Sequence, residues 1–192
     1  AIHVGAFKAT STGQLSYSGY NKAGPHPLAY TYVAPDSDEQ PVDTFSGNLV
    51  FVPTVIAKRI GGIDHLFPHA LGDVDYGLRA KQVGYQVFLL GNFQGECEPN
   101  VTPDTSLRIS IRNYFSVKGA GNIEGQLVFL RTHYRGPAIL PICWSFLSFL
   151  VSEAAKIFRR LRLGEVRYWE SSRRLSKADK RLALTMRRRG SE

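Results

Sequence analysis

Two helical patterns lie between two short apolar runs, and this order limits the folds open to the chain. The apolar runs are GNLVFVP at residues 47–53 and GYQVFLLG at residues 84–91. PTVIAKRIGG, residues 53–62, has a proline suited to the first turn of a helix and a glycine suited to its end. GDVDYGLRAKQVG, residues 72–84, begins with carboxylates, which the helix dipole favours, and ends in glycine. A strand, helix, helix, strand order is typical of α/β proteins.

Three earlier segments, at residues 2–7, 14–20 and 27–33, have the alternation and turn residues of short strands. The 192 residues are 43% hydrophobic and 11% aromatic, which is enough apolar material for a packed core. The sequence therefore predicts an α/β fold with a mixed sheet and flanking helices, followed by C-terminal amphipathic and basic helices.

The charge is divided unevenly along the chain. Residues 1–155 carry 11 Lys and Arg against 12 Asp and Glu, whereas residues 156–192 carry 13 against 4. This basic segment favours polyanionic partners, either an anionic membrane surface or nucleic acid. Nucleic acid is the weaker candidate, because Tyr168 and Trp169 do not amount to the interleaving of aromatic and basic side chains that stacks on bases.

Residues 137–163 join an apolar stretch to the start of the basic segment. The uninterrupted apolar part is shorter than the roughly 20 residues of a membrane-spanning helix, it contains Pro141, and polar residues recur in it at helical spacing. A membrane span is therefore not expected. Two fates stay open for an amphipathic helix here: it lies in the headgroup region of an anionic membrane, or it packs its apolar face on its own domain.

The two cysteines, Cys97 and Cys143, form no Cys-x-x-Cys or Cys/His pattern, so neither a disulfide framework nor a zinc site is expected. The first residues, AIHVGAF, are typical of a strand and lack the regions of a secretory signal peptide. These features predict a cytoplasmic location, peripheral on the inner face of the cell membrane if the basic segment binds lipid.

His69, Asp73 and Asp75 are crowded into HALGDVDYGLRA, residues 69–80, where a helix begins. Asp75 and Arg79 are spaced i, i+4, which predicts an intrahelical ion pair worth about 0.2–0.5 kcal/mol. Asp73 is open to two interpretations: a helix N-cap, which accepts hydrogen bonds from backbone N–H groups, or a functional carboxylate.

The segment around these carboxylates resembles the acceptor-side half of family 2 glycosyltransferases of the GT-A fold. The resemblance is carried by Gly47-Asn48, Gly-Gly-Ile-Asp at 61–64, Gly-Asp-Val-Asp at 72–75, Arg79 and Gly84-Tyr85. It covers about residues 1–135, which implies a partial GT-A-like domain there. Residues 136–192 would then form a C-terminal amphipathic and basic helical region.

The resemblance implies transfer of a sugar from a nucleotide-sugar donor to a glycan or lipid-linked acceptor, with inversion, in cell-surface polysaccharide synthesis. Asp73 matches the aspartate that removes the proton of the acceptor hydroxyl. The residues implied in substrate binding are Gly47, Asn48, His69 and Gly72. Simpler roles also stay open for them, because a glycine in a strand can mark a bulge and a loop histidine is more often only hydrogen-bonded.

The family also implies a divalent metal, Mg²⁺ or Mn²⁺, which an Asp-x-Asp motif in an N-terminal nucleotide-binding half holds on the donor diphosphate. The resemblance gives that half no counterpart in these residues. Asp36-Ser37-Asp38 has the right spacing, but it lies between Pro35 and Pro41, where the resemblance places a variable surface loop. We interpret it as a solvated acidic turn. Most members of the family carry an acidic residue at the position of Gly72. A glycine at this position is typical only of a subgroup.

Two classes of function follow from these patterns. One is the acceptor-binding, base-bearing half of a glycosyltransferase, held at the membrane by the basic segment. The other is a catalytically inactive binding module whose basic segment docks on anionic membrane or nucleic acid. A sheet without its nucleotide-binding half would expose an edge, which predicts aggregation or a homo-oligomer.

Overall fold

The computed structural model describes residues 1–67, 69–99 and 106–159. The strands are β1 (Ile2–Lys8), β2 (Leu15–Tyr17), β3 (Gly19–Lys22), β4 (Tyr30–Tyr32), β5 (Gln40–Val42), β6 (Thr44–Phe45), β7 (Val50–Phe51) and β8 (Val87–Glu96). The helices are α1 (Thr54–Ile60), α2 (Gly72–Gln82), α3 (Leu107–Tyr114) and α4 (Ile123–His133), followed by α5 (Ile139–Arg159).

The larger sheet is mixed. Its strand order is β2-β1-β8-β5, and β7 also pairs with β1. β1 and β8 are parallel neighbours, whereas β2, β7 and β5 are antiparallel to the strands that they pair with. A smaller antiparallel sheet has the order β4-β3-β6. The predicted α/β class with a mixed sheet is confirmed.

The main core lies where helices cover the parallel pair of strands. Its buried side chains come mostly from β1, β8, α1 and α2 and include Ile2, Val4, Ala6, Val87, Leu89, Ile56, Tyr76 and Ala80. Strands in the parallel part of a sheet are usually covered on their faces and therefore apolar. This explains why β1 and the first half of β8 are rich in aliphatic residues.

The helix ends agree with the signals in the sequence. α1 begins directly after Pro53 and ends before Gly61, whose φ of 79° lies in the left-handed region. Beyond the end of α2, Gly84 has a φ of 91° and leads the chain towards β8. Glycine adopts positive φ without the steric penalty that a Cβ brings, so it is the expected residue at both places.

Residues 14–20, predicted as one strand, form parts of two strands in different sheets. β2 pairs with β1, while β3 pairs with β4 and β6. The division falls at Ser18, which is fully buried and donates its hydroxyl to the Val33 carbonyl at 2.6 Å. This long-range hydrogen bond satisfies the buried hydroxyl, and the local alternation of residues gives no sign of it.

Helix α2 approaches β6 closely at Gly77. A Cβ added to Gly77 would lie 3.0 Å from the Cα of Thr44. The Thr44 hydroxyl also donates to the Val74 carbonyl at 2.7 Å. The absence of a side chain at Gly77 thus allows α2 to pack directly on the backbone of the smaller sheet.

Replacing Gly77 with Ala is expected to destabilise the fold by about 1–3 kcal/mol, because the added methyl would collide with the Thr44 hydroxyl and press on the Thr44 Cα. Gly62→Ala is the matched control, since a Cβ there meets nothing within 4 Å and its φ is not positive. We expect the control to change the free energy of unfolding by no more than about 0.5 kcal/mol. Chemical denaturation measures both values, and equal stabilities would show that α2 moves away from β6 at little cost.

Helix α5 has 21 residues and a mean hydropathy of 1.3, so by length and composition it is sufficient to cross a membrane. Pro141 does not interrupt it, because it lies in the first turn, where a missing N–H is tolerated.

The chain divides into two compact units, one ending at Phe146 and the other beginning at Leu147. The predicted boundary at 135/136 remains a prediction, and the predicted basic helices of residues 160–192 lie outside the described residues.

Candidate active site

Asp73 is the second residue of α2, and two backbone donors fix its carboxylate. The N-cap of α2 is Leu71 and no side chain caps the helix, so the interpretation of Asp73 as the N-cap is wrong. Its Oδ1 accepts from the Val74 N–H at 2.9 Å, and its Oδ2 accepts from the Gly47 N–H at 2.8 Å. Leu71 has a φ of 70°, a strained conformation for leucine. Strain of this kind often occurs next to functional groups.

Gly47 and Asp73 are in direct contact although 26 residues separate them in the chain. A Cβ added to Gly47 would lie 3.4 Å from the Asp73 Cβ and 3.5 Å from its Oδ2. A carboxylate has about four acceptor positions, and these two hydrogen bonds use one position on each oxygen. Asp73 is only half-buried, so its carboxylate is fixed in direction and is not enclosed by the protein.

Tyr20 of β3 lies near Asp73, and sequence analysis did not identify it. Burial raises the pKa of the Tyr20 hydroxyl, and its hydrogen bond with Tyr32 and the negative charge of Asp73 raise this pKa further. The two tyrosine rings stack with 4.5 Å between their centroids, and Tyr32 is exposed. The surroundings of Asp73 thus include a neutral phenol, whose ring stacks on the exposed ring of Tyr32.

Asn48 continues this site next to Gly47. Its side chain is exposed, with its Nδ2 3.5 Å from the Cys97 Sγ and its Oδ1 3.4 Å from the Ser46 hydroxyl. The contact with the Ser46 hydroxyl is long for a hydrogen bond, and the contact with sulfur uses only one of the two N–H donors of the amide. The Asn48 amide therefore has capacity to bind a ligand.

Gly72 and His69, the other residues predicted to bind substrate, have different surroundings. Gly72 is buried, and a Cβ there would lie 3.0 Å from the Ile63 Cγ2 and 3.3 Å from the Phe67 Cβ. Packing against these two side chains is sufficient reason for a glycine at this position. His69 is exposed, and no hydrogen bond or ion pair between the described residues joins it to Asp73.

Asp75 is buried and connects three helices. Its Oδ2 accepts from the Arg79 Nε at 2.7 Å, and its Oδ1 lies 2.8 Å from the His133 Nε2 of α4. Arg79 also donates to the Ile60 and Gly62 carbonyls at the end of α1, at 2.8 and 2.9 Å. The predicted i, i+4 ion pair is confirmed, but its burial means that the energy typical of a surface pair does not apply to it.

The electrostatics of this cluster keep Asp75 ionised. Burial alone would raise the pKa of the Asp75 carboxyl, but hydrogen bonds with His133 and Arg79 outweigh burial and hold this pKa below its usual range. His133 lies 58 residues from Asp75 in the chain. No motif connects the two residues, which is why sequence analysis missed His133.

A cavity of about 580 Å³ lies near the C-terminal end of α2, away from Asp73. Its lining includes Lys22, Asp43, Lys81 and His133. Asp43 accepts from the Lys81 Nζ at 2.6 Å and from the Lys22 backbone N–H at 2.8 Å. Eight residues of α2 separate Asp73 from Lys81, a rise of about 12 Å, so this cavity is distinct from the site around Asp73.

The described residues do not form a metal site. In residues 1–67, 69–99 and 106–159, no group of three or more His, Cys, Asp or Glu side chains is placed to hold a metal ion. Mg²⁺ and Mn²⁺ prefer oxygen ligands in octahedral arrangements, which the single carboxylate of Asp73 does not supply. Asp36, Ser37 and Asp38 are exposed between β4 and β5, and the Asp36 carboxylate accepts from the Ser37 N–H at 2.8 Å.

Of the residues predicted for the site, the structure brings Gly47 and Asn48 together with Asp73. The chain matches no family model, and comparison with curated proteins and with solved structures also gave no match. The function proposed below is therefore supported by this geometry and by the motifs quoted above.

Proposed function

We propose that the chain is the acceptor-side, base-bearing part of a glycosyltransferase similar to family 2 enzymes of the GT-A fold. The observation that carries the proposal is the 2.8 Å hydrogen bond from the Gly47 N–H to the Asp73 Oδ2. Gly47 and Asp73 belong to separate motifs of the resemblance, and a common active site requires the two to meet. A half-buried carboxylate held by backbone donors is suited to accept a proton in a defined direction.

In the proposed reaction, Asp73 takes the proton of an acceptor hydroxyl as that oxygen bonds to the anomeric carbon of the donor sugar. The bond from this carbon to the nucleotide diphosphate breaks, and the diphosphate leaves with the bonding electrons. Attack opposite the leaving group inverts the anomeric centre. The N–H groups of Gly47 and Val74 lower the basicity of the carboxylate somewhat while they fix its orientation.

The proposed acceptor is a glycan or a lipid-linked glycan in cell-surface polysaccharide synthesis. The Asn48 amide, next to Gly47 in the chain, supplies an exposed hydrogen-bonding group, and Tyr32, which stacks on Tyr20, supplies an exposed aromatic ring. In the family, the nucleotide-binding half binds the nucleotide-sugar donor. The same half holds a divalent metal on the donor diphosphate. No step assigned to this chain depends on that metal. Nucleotide sugars are cytoplasmic substrates in such a reaction, so we place the chain on the cytoplasmic side of the membrane.

A binding module without catalytic activity is the second candidate. The observation that favours it is the row of exposed apolar side chains on α5, which overlaps the start of the basic segment, residues 156–192. Binding through these features requires neither Asp73 nor a nucleotide sugar. The two candidates therefore differ in their dependence on Asp73. Homo-oligomerisation, predicted from the sequence, remains a prediction for either one.

Sugar transfer tests the proposal directly. The chain is combined with a donor-binding half, on the same polypeptide or as a separate chain, and is given a nucleotide sugar and a glycan acceptor. Transfer that depends on Asp73 and is unaffected by Asp38→Asn supports the glycosyltransferase. Transfer that is unaffected by Asp73→Asn would contradict the proposed role of Asp73 and favour the binding module.

A further inference from the structure

Helix α5 carries a continuous row of large apolar side chains on its exposed side. This apolar stripe consists of Leu140, Trp144, Leu147, Val151 and Phe158, each between 53% and 67% exposed. At about 3.6 residues per turn, these five positions fall within about 60° of the helix circumference. Apolar residues that are exposed singly are normal on protein surfaces, whereas a contiguous row indicates a surface that binds another apolar phase.

A second row on the same helix is polar. Ser148, Ser152, Lys156 and Arg159 are all exposed and lie about a third of a turn from the apolar stripe. A helix that crossed a bilayer would bring this row into the hydrocarbon, where polar groups are costly. A helix that lies along the bilayer surface would keep this row among headgroups and water while its apolar stripe enters the lipid. The two rows together favour the surface orientation.

The charge around α5 favours an anionic surface. Arg131 and Arg135 are exposed shortly before the helix, and Lys156 and Arg159 are exposed in its last turns. Residues 156–192 contain 13 Lys and Arg against 4 Asp and Glu. Two copies of the chain would each carry this excess of positive charge, and the two would repel each other. Anionic lipid headgroups attract them instead.

We propose that the apolar stripe of α5 inserts into the headgroup region of an anionic bilayer, with the helix axis parallel to the membrane surface. Trp144 lies in the stripe, and tryptophan is enriched at the boundary between hydrocarbon and water. The basic residues that flank and follow the stripe contact the anionic headgroups. Membrane binding by the apolar stripe does not require sugar transfer, so its test is independent of the glycosyltransferase proposal.

The test compares two variants of the full chain that gain the same charge on the same helix. Val151→Asp places a carboxylate in the apolar stripe, and we expect it to weaken binding to vesicles of phosphatidylglycerol and phosphatidylcholine by at least about tenfold. Ser148→Asp places a carboxylate in the polar row and should weaken binding by less than about threefold. Cosedimentation measures both affinities, and circular dichroism confirms that both variants fold. If Val151→Asp does not fold, Leu147→Gln makes the same comparison without adding a charge.

The lipid and the depth of insertion are tested separately. Binding should weaken in phosphatidylcholine alone, in raised salt and when residues 156–192 are deleted. Trp169→Phe leaves Trp144 as the single tryptophan, and bromines at a shallow position of the acyl chains should quench its fluorescence more than bromines near the bilayer centre.

Equal binding by Val151→Asp and the parent chain would overturn the proposal. Quenching of Trp144 mainly by the deep bromines would also overturn it, because the helix would then span the bilayer. Self-association without lipid that Val151→Asp abolishes would assign the stripe to a second copy of the chain and overturn it as well.

Discussion

Asp73→Asn is expected to lower sugar transfer by about 10²–10⁴-fold, because asparagine keeps the shape of the side chain but does not take a proton from the acceptor hydroxyl. The asparagine oxygen can replace only one of the two carboxylate oxygens that accept from Gly47 and Val74. We therefore expect a loss of stability of only about 1 kcal/mol. Initial rates of transfer and thermal denaturation of the same samples measure the two effects.

The matched control for Asp73 is Asp38→Asn, which makes the same chemical change in an exposed loop. It should transfer sugar at the parent rate, because Asp38 belongs to the segment interpreted as a solvated acidic turn. A large loss of sugar transfer in Asp38→Asn would contradict this interpretation and make Asp36-Ser37-Asp38 a candidate metal motif again. If Asp73→Asn instead lost activity only in proportion to its folded fraction, the role of Asp73 would be to join α2 to Gly47.

Asp75→Ala is expected to destabilise the fold by about 3–5 kcal/mol, the cost of removing one partner from a buried ion pair. Asp75 is 1% exposed and holds both Arg79 and His133. Without it, the Arg79 guanidinium loses its counter-ion and His133 of α4 loses its contact with the Asp75 carboxylate. Chemical denaturation measures the loss. The control, Arg59→Ala, removes an exposed charge from α1 and should change stability by no more than about 0.5 kcal/mol.

The contribution of Asp75 to the free energy of unfolding should decrease as the pH falls into the acid range. Its pKa in the folded protein is lower than the usual value of about 3.9, so its stabilising effect is fully present above that value. The effect is lost as the pH falls through the lowered pKa, because protonation removes the charge that holds Arg79. The difference in unfolding free energy between the parent and Asp75→Asn should thus shrink as the pH falls below about 4. A difference that stayed unchanged in strong acid would contradict this assignment.

Local signals in the sequence predicted the parts of the fold that local interactions determine. The end of α1 at Gly61 and the turn at Gly84 follow from the backbone freedom of glycine, and the apolar runs predicted the central strands. Short strands such as β5 and β6 were not predicted, because two or three residues carry too little pattern. Their pairing partners, β8 and β3, lie elsewhere in the chain.

In the candidate site, too, the sequence predicted only the residues that local motifs identify. Asp73 and Gly47 were predicted from motifs, and the fold brings them within hydrogen-bonding distance. Tertiary packing alone brings Tyr20 near Asp73 and His133 into contact with Asp75, so the sequence around each of them gives no sign of the partner. The energy of a surface pair does not apply to Asp75 and Arg79 for the same reason, because spacing along a helix reveals an ion pair but not its burial.

The parallel pairing of β1 with β8 also bears on how the chain folds during synthesis. Ile2 pairs with Val87, so the ribosome adds nearly half of the chain before β1 meets its central neighbour. At about 5–20 residues per second, this apolar strand waits several seconds for that partner. β2 and β7 both pair with β1 and are made earlier, but they pair on the side of β1 away from β8. The other edge of β1 thus stays open to chaperones or to other nascent chains until β8 emerges.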